Sequence, residues 1–176
     1  MKKGYVQVYT GDGKGKTTAA LGLGLRAVGR GLKVIMIQFL KGTFTGELEG
    51  IKKLSPQFNI IRFAETEKFF WNLSEEEIKE LREKTQAELV KLDDYIKDNA
   101  CDVLILDDIM AAIHGGLVSV EQVCDIIDNK PEGMEIILTG RNVPEPIAER
   151  ADLITEMKAV KHYIDLGVPS REGIEL

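Results

Sequence analysis

A short run rich in glycine and lysine lies near the start of the chain: Thr10-Gly11-Asp12-Gly13-Lys14-Gly15-Lys16-Thr17-Thr18. It joins an apolar segment, Tyr5–Tyr9, to a segment with helical spacing, Lys16–Arg30. A glycine-rich loop between a strand and a helix lets backbone N–H groups converge on an anion. Lys16 adds a positive charge, and the Thr17 hydroxyl is a suitable Mg²⁺ ligand. The run predicts a nucleotide-phosphate site of the P-loop type, although the strict pattern has glycine where this chain has Thr10.

Short apolar segments and helical patterns alternate along the rest of the chain. The predicted strands are Tyr5–Tyr9, Val34–Phe39, Ile60–Phe63, Val103–Leu106, Ile136–Leu138 and, more weakly, Leu153–Met157. The predicted helices are Lys16–Arg30, Ser74–Lys97, one from Ser119 to about Asn129, and one that starts at Pro144. Short, uniformly apolar strands are typical of a parallel sheet that is buried on both faces.

This alternation predicts a single P-loop, RecA-like α/β domain over residues 1–158, with a mostly parallel sheet covered by helices on both faces. Residues 159–176 follow as a tail of the same domain, either a lid or a partly ordered arm.

A pair of acids follows the fourth predicted strand, in Asp102-Val103-Leu104-Ile105-Leu106-Asp107-Asp108. Carboxylates at the carboxyl end of a parallel strand lie at the edge where ligands bind in open α/β folds. Their hard oxygen atoms suit Mg²⁺. Asp107 and Asp108 are therefore candidates to hold a metal beside the nucleotide.

Composition restricts the class of function. The 176 residues include 23 Lys plus Arg and 29 Asp plus Glu, a net charge of -6, which argues against a fold-wide nucleic-acid surface. No stretch approaches the ~20 apolar residues of a membrane span. The first residues show no signal-peptide pattern, and Cys101 and Cys124 are expected to be reduced thiols, so we expect a soluble cytoplasmic protein.

Apart from Lys16, the sequence shows no acid–base pair and no Ser/His/Asp arrangement that would name a reaction. Its residues alone therefore indicate a Mg-nucleotide enzyme whose acceptor stays open.

Further motifs extend from the glycine-rich run to the end of the chain. They are Gly11–Ala20, Gln38–Gly42, Phe69–Trp71, Leu106–Asp107, Leu138–Arg141, Ala151–Leu153, Glu156–Lys158, Val160–His162, Gly167–Val168 and Gly173–Glu175. Together they resemble the P-loop class of ATP:corrinoid adenosyltransferases, in which a threonine at the position of Thr10 is typical. The resemblance implies transfer of the 5′-deoxyadenosyl group of ATP to the cobalt(I) of a corrinoid, either cobalamin or cobyrinic acid a,c-diamide. Triphosphate would be released, in adenosylcobalamin biosynthesis or salvage.

The chemistry of that family is consistent with the lack of an acid–base pair. Cobalt(I) is already a strong nucleophile, so the protein has to place the ribose C5′ over the cobalt and stabilise the leaving triphosphate. The resemblance also implies that the nucleotide lies in the loop in the reverse sense to kinases.

The resemblance implies a role for individual residues. Lys16, Thr17 and Asp108 would be catalytic, with Thr17 and Asp108 contacting Mg²⁺ (or Mn²⁺) and Asp107 supporting them. Phe69 and Trp71 would pack against the lower face of the corrin and displace its lower axial ligand. The ATP-binding residues would be Gly11, Asp12, Gly13, Lys14, Gly15, Lys16, Thr17, Thr18 and Arg26, the last lying one or two turns beyond the loop and holding the nucleoside.

The resemblance further implies a homodimer and a reduced flavoprotein as electron donor, with no nucleic-acid or membrane partner. Asp108 stands where this family usually has Glu, so its carboxylate is one methylene shorter. Two other functions stay open. One is a P-loop NTPase or small-molecule kinase acting at the γ-phosphate, and the other is an ATP-dependent corrinoid-binding or regulatory module that lost turnover through the change at Asp108.

Overall fold

The structure, a computed structural model, describes residues 2–68, 70–97 and 100–176. The strands are β1 Val6–Thr10, β2 Val34–Phe39, β3 Phe58–Phe63, β4 Val103–Asp107, β5 Glu135–Thr139 and β6 Leu153–Glu156. The helices are α1 Lys16–Val28, α2 Gly46–Lys52, α3 Glu75–Lys97, α4 Ile109–His114, α5 Val120–Asp128 and α6 Glu145–Arg150. Short 3₁₀ helices cover Phe70–Asn72 and Tyr163–Leu166.

The strands form one sheet in the order β3-β2-β4-β5-β1-β6, and every neighbouring pair is parallel. The predicted α/β architecture is therefore confirmed, and the sheet is wholly parallel. Because the strands run the same way, the segments that follow them all lie at one edge of the sheet. From one end of this edge to the other lie the segments after β3, β2, β4, β5, β1 and β6. The glycine-rich loop and the two acids are thus separated only by the end of β5.

Alternate side chains of the strands pack on opposite faces of the sheet. On one face, Met36 and Ile105 lie in a core cluster with Ala20 and Ala27 of α1. On the other face, Ile37 and Leu106 pack with residues of α3, α4, α5 and α6, among them the fully buried Leu92, Ile109, Val123 and Ile147. This arrangement agrees with the prediction that helices cover both faces, and full burial of each large aliphatic side chain stabilises the fold by roughly 1.5–3 kcal/mol.

Helix ends follow local capping chemistry. The Ser74 hydroxyl accepts from the Glu77 N–H at 3.2 Å, and the Glu77 carboxylate accepts from the Ser74 N–H at 2.8 Å, which fixes the start of α3. Ser119 and Gln122 form the same capping box before α5. Helix α1 ends at Val28, two residues before the predicted end, and Gly29 follows as its C-cap.

Two helices were not predicted. Helix α2 buries no residue, so it has no apolar stripe to reveal it. Helix α4 follows β4 almost directly, and three of its six residues are buried, so the apolar run of the strand continues into the helix without a change of pattern.

Cys101 and Cys124 are both buried free thiols, and burial raises the pKa of the Cys101 thiol to about 12. Among the helices of the described residues, none combines the length and the hydropathy that a membrane crossing requires.

Candidate active site

The phosphate loop, residues 10–18, is held against the segment that follows β6. The Gly13 N–H donates to the Met157 carbonyl at 2.7 Å, and the Met157 N–H donates to the Thr10 carbonyl at 2.8 Å. A Cβ on Gly11 would lie 2.4 Å from the Met157 oxygen, and one on Gly13 would lie 2.7 Å from it. Glycine is therefore required at both positions, because the two backbone segments leave no room for a side chain.

Lys16 begins α1 and folds back across the phosphate loop. Its Nζ donates to the carbonyl oxygens of Gly11 at 2.6 Å and Gly13 at 2.8 Å. Burial lowers the pKa of the Lys16 ammonium, and the positive charge of Arg141 acts in the same direction. The N-cap residue, Gly15, supplies no side-chain acceptor for the first N–H groups of α1. These N–H donors and the Lys16 ammonium both belong to the first turn of α1, where positive charge and uncapped N–H groups favour an anion.

Asp107 is a fully buried carboxylate at the end of β4. Its Oδ1 accepts from the hydroxyls of Thr17 and Thr139, each at 2.8 Å. Its Oδ2 accepts from Lys41 Nζ at 2.7 Å and from Gln38 Nε2 at 3.4 Å. Four donors occupy the roughly four acceptor sites of a carboxylate, so Asp107 is saturated and fixes its neighbours.

Asp108 follows directly in the left-handed region, with φ of 58°. Its N–H donates to Thr139 Oγ1 at 2.9 Å, and its carboxylate lies 3.4 Å from Lys41 Nζ. Burial and the charge of Asp107 raise the pKa of the Asp108 carboxyl, while Lys41 partly opposes this. For Lys41 the balance is reversed, because burial disfavours its charge but Asp107 and Asp108 raise the pKa of the ammonium above its usual value.

An aromatic loop, described for residues 64–68 and 70–72, lies at the far end of the same edge, after β3. The Ala64 N–H donates to the Glu88 carboxylate at 2.9 Å, which attaches the loop to α3. The Phe70 ring packs on Gly115, where a Cβ would lie 2.8 Å from the ring. Trp71 is 77% exposed. The loop is therefore anchored through Phe70 and presents the Trp71 indole to solvent.

The tail contacts the phosphate loop. Glu175 pairs with Lys14 at 3.0 Å and with Arg171 at 3.0 Å, and it accepts a hydrogen bond from the Tyr163 hydroxyl. Hydrogen bonds from Arg171, then Tyr163 and Lys14, hold the pKa of Glu175 well below its usual range. The end of the tail therefore contacts the phosphate loop through Glu175 and Lys14.

A family model described as ATP:corrinoid adenosyltransferase BtuR/CobO/CobP matches residues 2–176. The chain belongs to this family. The predicted resemblance is thereby confirmed over almost the entire chain.

Curated relatives carry the same family name. The chain is 33% identical over 179 residues to the corrinoid adenosyltransferase of Escherichia coli K12, covering 99% of this chain and 86% of that protein. It is 34% identical to the corrinoid adenosyltransferase of a Sinorhizobium species, covering 99% of this chain and 81% of that protein. It is 31% identical to the corrinoid adenosyltransferase CobA of Salmonella typhimurium, covering 99% of this chain and 86% of that protein. A solved structure of ATPases 2 and 3 of EssC from Geobacillus thermodenitrificans aligns with 98% of this chain and 36% of that chain, at 12% identity and a TM-score of 0.47.

Within this adenosyltransferase, the structure brings some predicted residues together and separates others. Thr17 donates to Asp107, and Thr139 links Asp107 to Asp108 by donating to the Asp107 carboxylate and accepting from the Asp108 N–H. Lys14 points instead to the tail, and Asp12, exposed at the tip of the phosphate loop, pairs with Arg141 at 3.6 Å. Their roles in ATP binding stay predictions.

Arg26 lies in the last turn of α1, eight residues and therefore about two turns beyond Thr18, the last residue of the phosphate loop. Its exposed side chain is not brought to the loop, and a nucleoside contact stays a prediction. Phe69 lies outside the described residues, so the structure does not test its predicted corrin contact.

The residues at the edge fit a magnesium ion. Thr17 donates its hydroxyl hydrogen to Asp107, which leaves the lone pairs of Oγ1 available to a cation. The Asp108 side chain is 36% exposed and can offer carboxylate oxygens, whereas the oxygens of Asp107 are occupied. In the described ranges, no three His, Cys, Asp or Glu side chains converge on a metal position, so most ligands would come from substrate and water, as is usual for Mg²⁺.

Several residues at this edge received no individual role from the sequence. Lys41, Thr139 and Arg141 each lie within one of the motifs of the family resemblance, but no motif predicts a role for any of them. The strand register would have predicted that they lie together. Gln38 pairs with Asp107 across β2 and β4, and Leu106 pairs with Leu138 across β4 and β5. Residues just beyond these pairs must meet at the edge, but only once the strand order is known.

Proposed function

We propose that this chain transfers the 5′-deoxyadenosyl group of ATP to the cobalt of a reduced corrinoid and releases triphosphate. Adenosylation of corrinoids is the reaction of the family to which the chain belongs. The structural observation that carries the proposal is the set of hydrogen bonds on Asp107, which ties Thr17 of the phosphate loop to β4 and β5 beside the Lys16 ammonium and the first N–H groups of α1. Such an edge suits a polyanionic leaving group.

The protein's part in this reaction is to bind and orient. Lys16 and the first N–H groups of α1 would contact the triphosphate, and their charge would stabilise it as it leaves C5′. We propose that Thr17 and Asp108 hold Mg²⁺, with Mn²⁺ as the alternative, and that Asp107 orients Thr17. When bound, the ion supplies positive charge to the phosphate oxygens.

The corrinoid would lie against the aromatic loop. Phe70 holds the loop at Gly115, the residue that caps the end of α4, and the exposed Trp71 offers a flat apolar surface of the kind that covers a macrocycle. Such a surface excludes a donor atom from the lower face of the corrin, and four-coordinate cobalt(II) is then easier to reduce. We propose this role for Trp71 and, from the resemblance, for Phe69.

The same proposal extends to partners and to the tail. Formation of cobalt(I) needs an electron, so we propose a reduced flavoprotein as donor to a cytoplasmic homodimer. We further propose that the tail acts as a lid, because Glu175 reaches Lys14 of the phosphate loop. Light scattering of the purified protein, alone and with ATP, tests the dimer directly.

An anaerobic absorbance assay with Mg-ATP and chemically reduced cobalamin tests the function, with chromatography of the phosphate product. We expect light-sensitive adenosylcobalamin and triphosphate in equal amounts, and neither product in reactions without enzyme. If cobalamin is unchanged, cobinamide and cobyrinic acid a,c-diamide are tested next. Orthophosphate or ADP without any adenosylcorrinoid would instead identify an NTPase or kinase, and corrinoid binding without turnover would identify a binding module.

A further inference from the structure

The segment after β2 places Lys41 between the acids and the aromatic loop. Leu40, with φ of 59°, turns the chain at the end of the strand. The Lys41 side chain is only 22% exposed, and its Nζ lies 2.7 Å from Asp107 Oδ2 and 3.4 Å from Asp108 Oδ2. One ammonium group therefore bridges two consecutive carboxylates, the first of which is fully buried.

The position of Lys41 is fixed by its own segment. Arg62 of β3 donates to the Thr43 carbonyl at 2.8 Å and to Thr45 Oγ1 at 3.1 Å. Gly42 lies against the aromatic loop so closely that a Cβ there would be 2.4 Å from the Thr66 oxygen. Lys41 thus differs from a surface lysine, whose ion pairs are weakened by side-chain freedom and by solvent.

Charge balance shows what this ammonium does. A buried carboxylate is costly unless it is paired and hydrogen-bonded, and Lys41 supplies that charge to Asp107. The same ammonium stands beside the Asp108 carboxylate, where it halves the formal charge of the acid pair and repels any cation that approaches. A divalent ion at Asp108 then needs further negative ligands.

We propose that Lys41 is the resident counter-cation of Asp107 and Asp108 and keeps the affinity of this edge for a free divalent ion low. The metal is then held firmly only together with the triphosphate, so that nucleotide and metal bind as one unit. Lys41 is in this sense a positioning residue, since it acts through Asp107, which orients Thr17, and through Asp108. Its role rests on the proposed function, because it concerns the same metal and triphosphate site.

The test is a titration of the purified full chain with Mn²⁺ in the absence of nucleotide and corrinoid. Electron paramagnetic resonance measures how much of the Mn²⁺ is bound. Lys41→Met removes the charge at similar length and should tighten Mn²⁺ binding by about tenfold or more, since the acid pair then carries its full charge. Lys41→Arg keeps the charge and should bind Mn²⁺ as weakly as the wild type. Equal Mn²⁺ affinity in the wild type and Lys41→Met would overturn the proposal.

A double variant locates the effect. Adding Asp108→Asn to Lys41→Met should remove the gain in Mn²⁺ affinity, and a gain that persisted would show that the ion binds elsewhere. If Lys41→Met is unstable without metal, millimolar Mn²⁺ should raise its melting temperature more than that of the wild type, and failure to do so would also contradict the role. The titration contains neither ATP nor corrinoid, so its result depends only on the binding of Mn²⁺. A failure of the proposed adenosyl transfer would appear in the activity assay instead, and the two failures are therefore distinguishable.

Discussion

The phosphate loop and the aromatic loop lie at the same edge of the sheet, but they differ in the contacts that hold them. The phosphate loop is bonded to the segment after β6, and its Thr17 is bonded to a carboxylate saturated by four donors. The aromatic loop is attached to its surroundings by packing of Phe70 on Gly115 and Thr66 on Gly42, by the Ala64 N–H on Glu88 and by the ion pair of Lys68 with Glu77, and its Trp71 is 77% exposed.

This difference fits the ligand that we propose for each loop. A triphosphate needs charges and N–H groups that are already oriented, because reorganising them during the reaction would add to the barrier. A corrin ring needs a broad apolar surface that can admit a bulky substrate. Four strand spacings of about 4.8 Å separate β1 from β3, or about 19 Å, and Lys41 after β2 lies between the two loops.

The largest expected effect comes from removing the charge of the phosphate loop. Lys16→Ala should lower kcat/KM for adenosyl transfer by roughly 10³-fold or more, because the triphosphate loses its principal cation. Steady-state kinetics with reduced cobalamin measure this, and Lys79→Ala, an exposed lysine of α3, is the matched control. Near-normal activity of Lys16→Ala would refute the assignment of the phosphate loop.

The aromatic loop should respond in only one of two assays. Trp71→Ala should leave transfer to chemically pre-reduced cobalt(I) largely intact. It should slow the reaction that starts from cobalt(II) with a weak reductant, because the indole would no longer exclude the lower ligand. We expect a decrease of about tenfold or more, which corresponds to a barrier higher by at least about 1.4 kcal/mol. Trp71→Phe, which keeps an aromatic surface, should retain most of the cobalt(II) activity. An equal fall in both assays would rule out a role in cobalt reduction.

A smaller effect should follow from separating the aromatic loop from the segment that carries Lys41. Gly42→Ala places a Cβ 2.4 Å from the Thr66 oxygen, so the segment that carries Lys41 and the aromatic loop must move apart. We expect a loss of about 1–3 kcal/mol in unfolding free energy and a higher KM for corrinoid. Gly50→Ala is the control, because a Cβ there meets no atom within 4 Å and alanine favours helix α2. Indistinguishable melting and KM values for the two variants would contradict the contact.

The smallest expected effect concerns the tail. Glu175→Gln removes the charge that holds Lys14, so the KM for ATP should change by only about two- to fivefold, as is usual for an exposed ion pair. The change should shrink at high salt because the pair is screened. Glu172→Gln, an exposed neighbour, is the control, and identical ATP kinetics for both variants at low salt would exclude the tail from nucleotide binding.

Sequence patterns predicted the parts of the fold and of the candidate site that depend on local structure. The phosphate loop, all six strands and the capped start of α3 follow from residues that are neighbours along the chain. Helix α2 was not predicted because it buries no side chain. The contact of Lys41 with Asp107 was not predicted because it joins residues 66 positions apart, through the adjacency of β2 and β4 that only the strand order specifies.

The fate of a label at the ribose C5′ tests the central claim most directly. In a single turnover with ATP carrying ¹³C at that carbon and with reduced corrinoid, the account predicts by NMR that the labelled carbon becomes bonded to cobalt. Phosphorus spectra of the same sample should show intact triphosphate. Recovery of the label in ADP or AMP, with orthophosphate or pyrophosphate as the other product, would contradict the account.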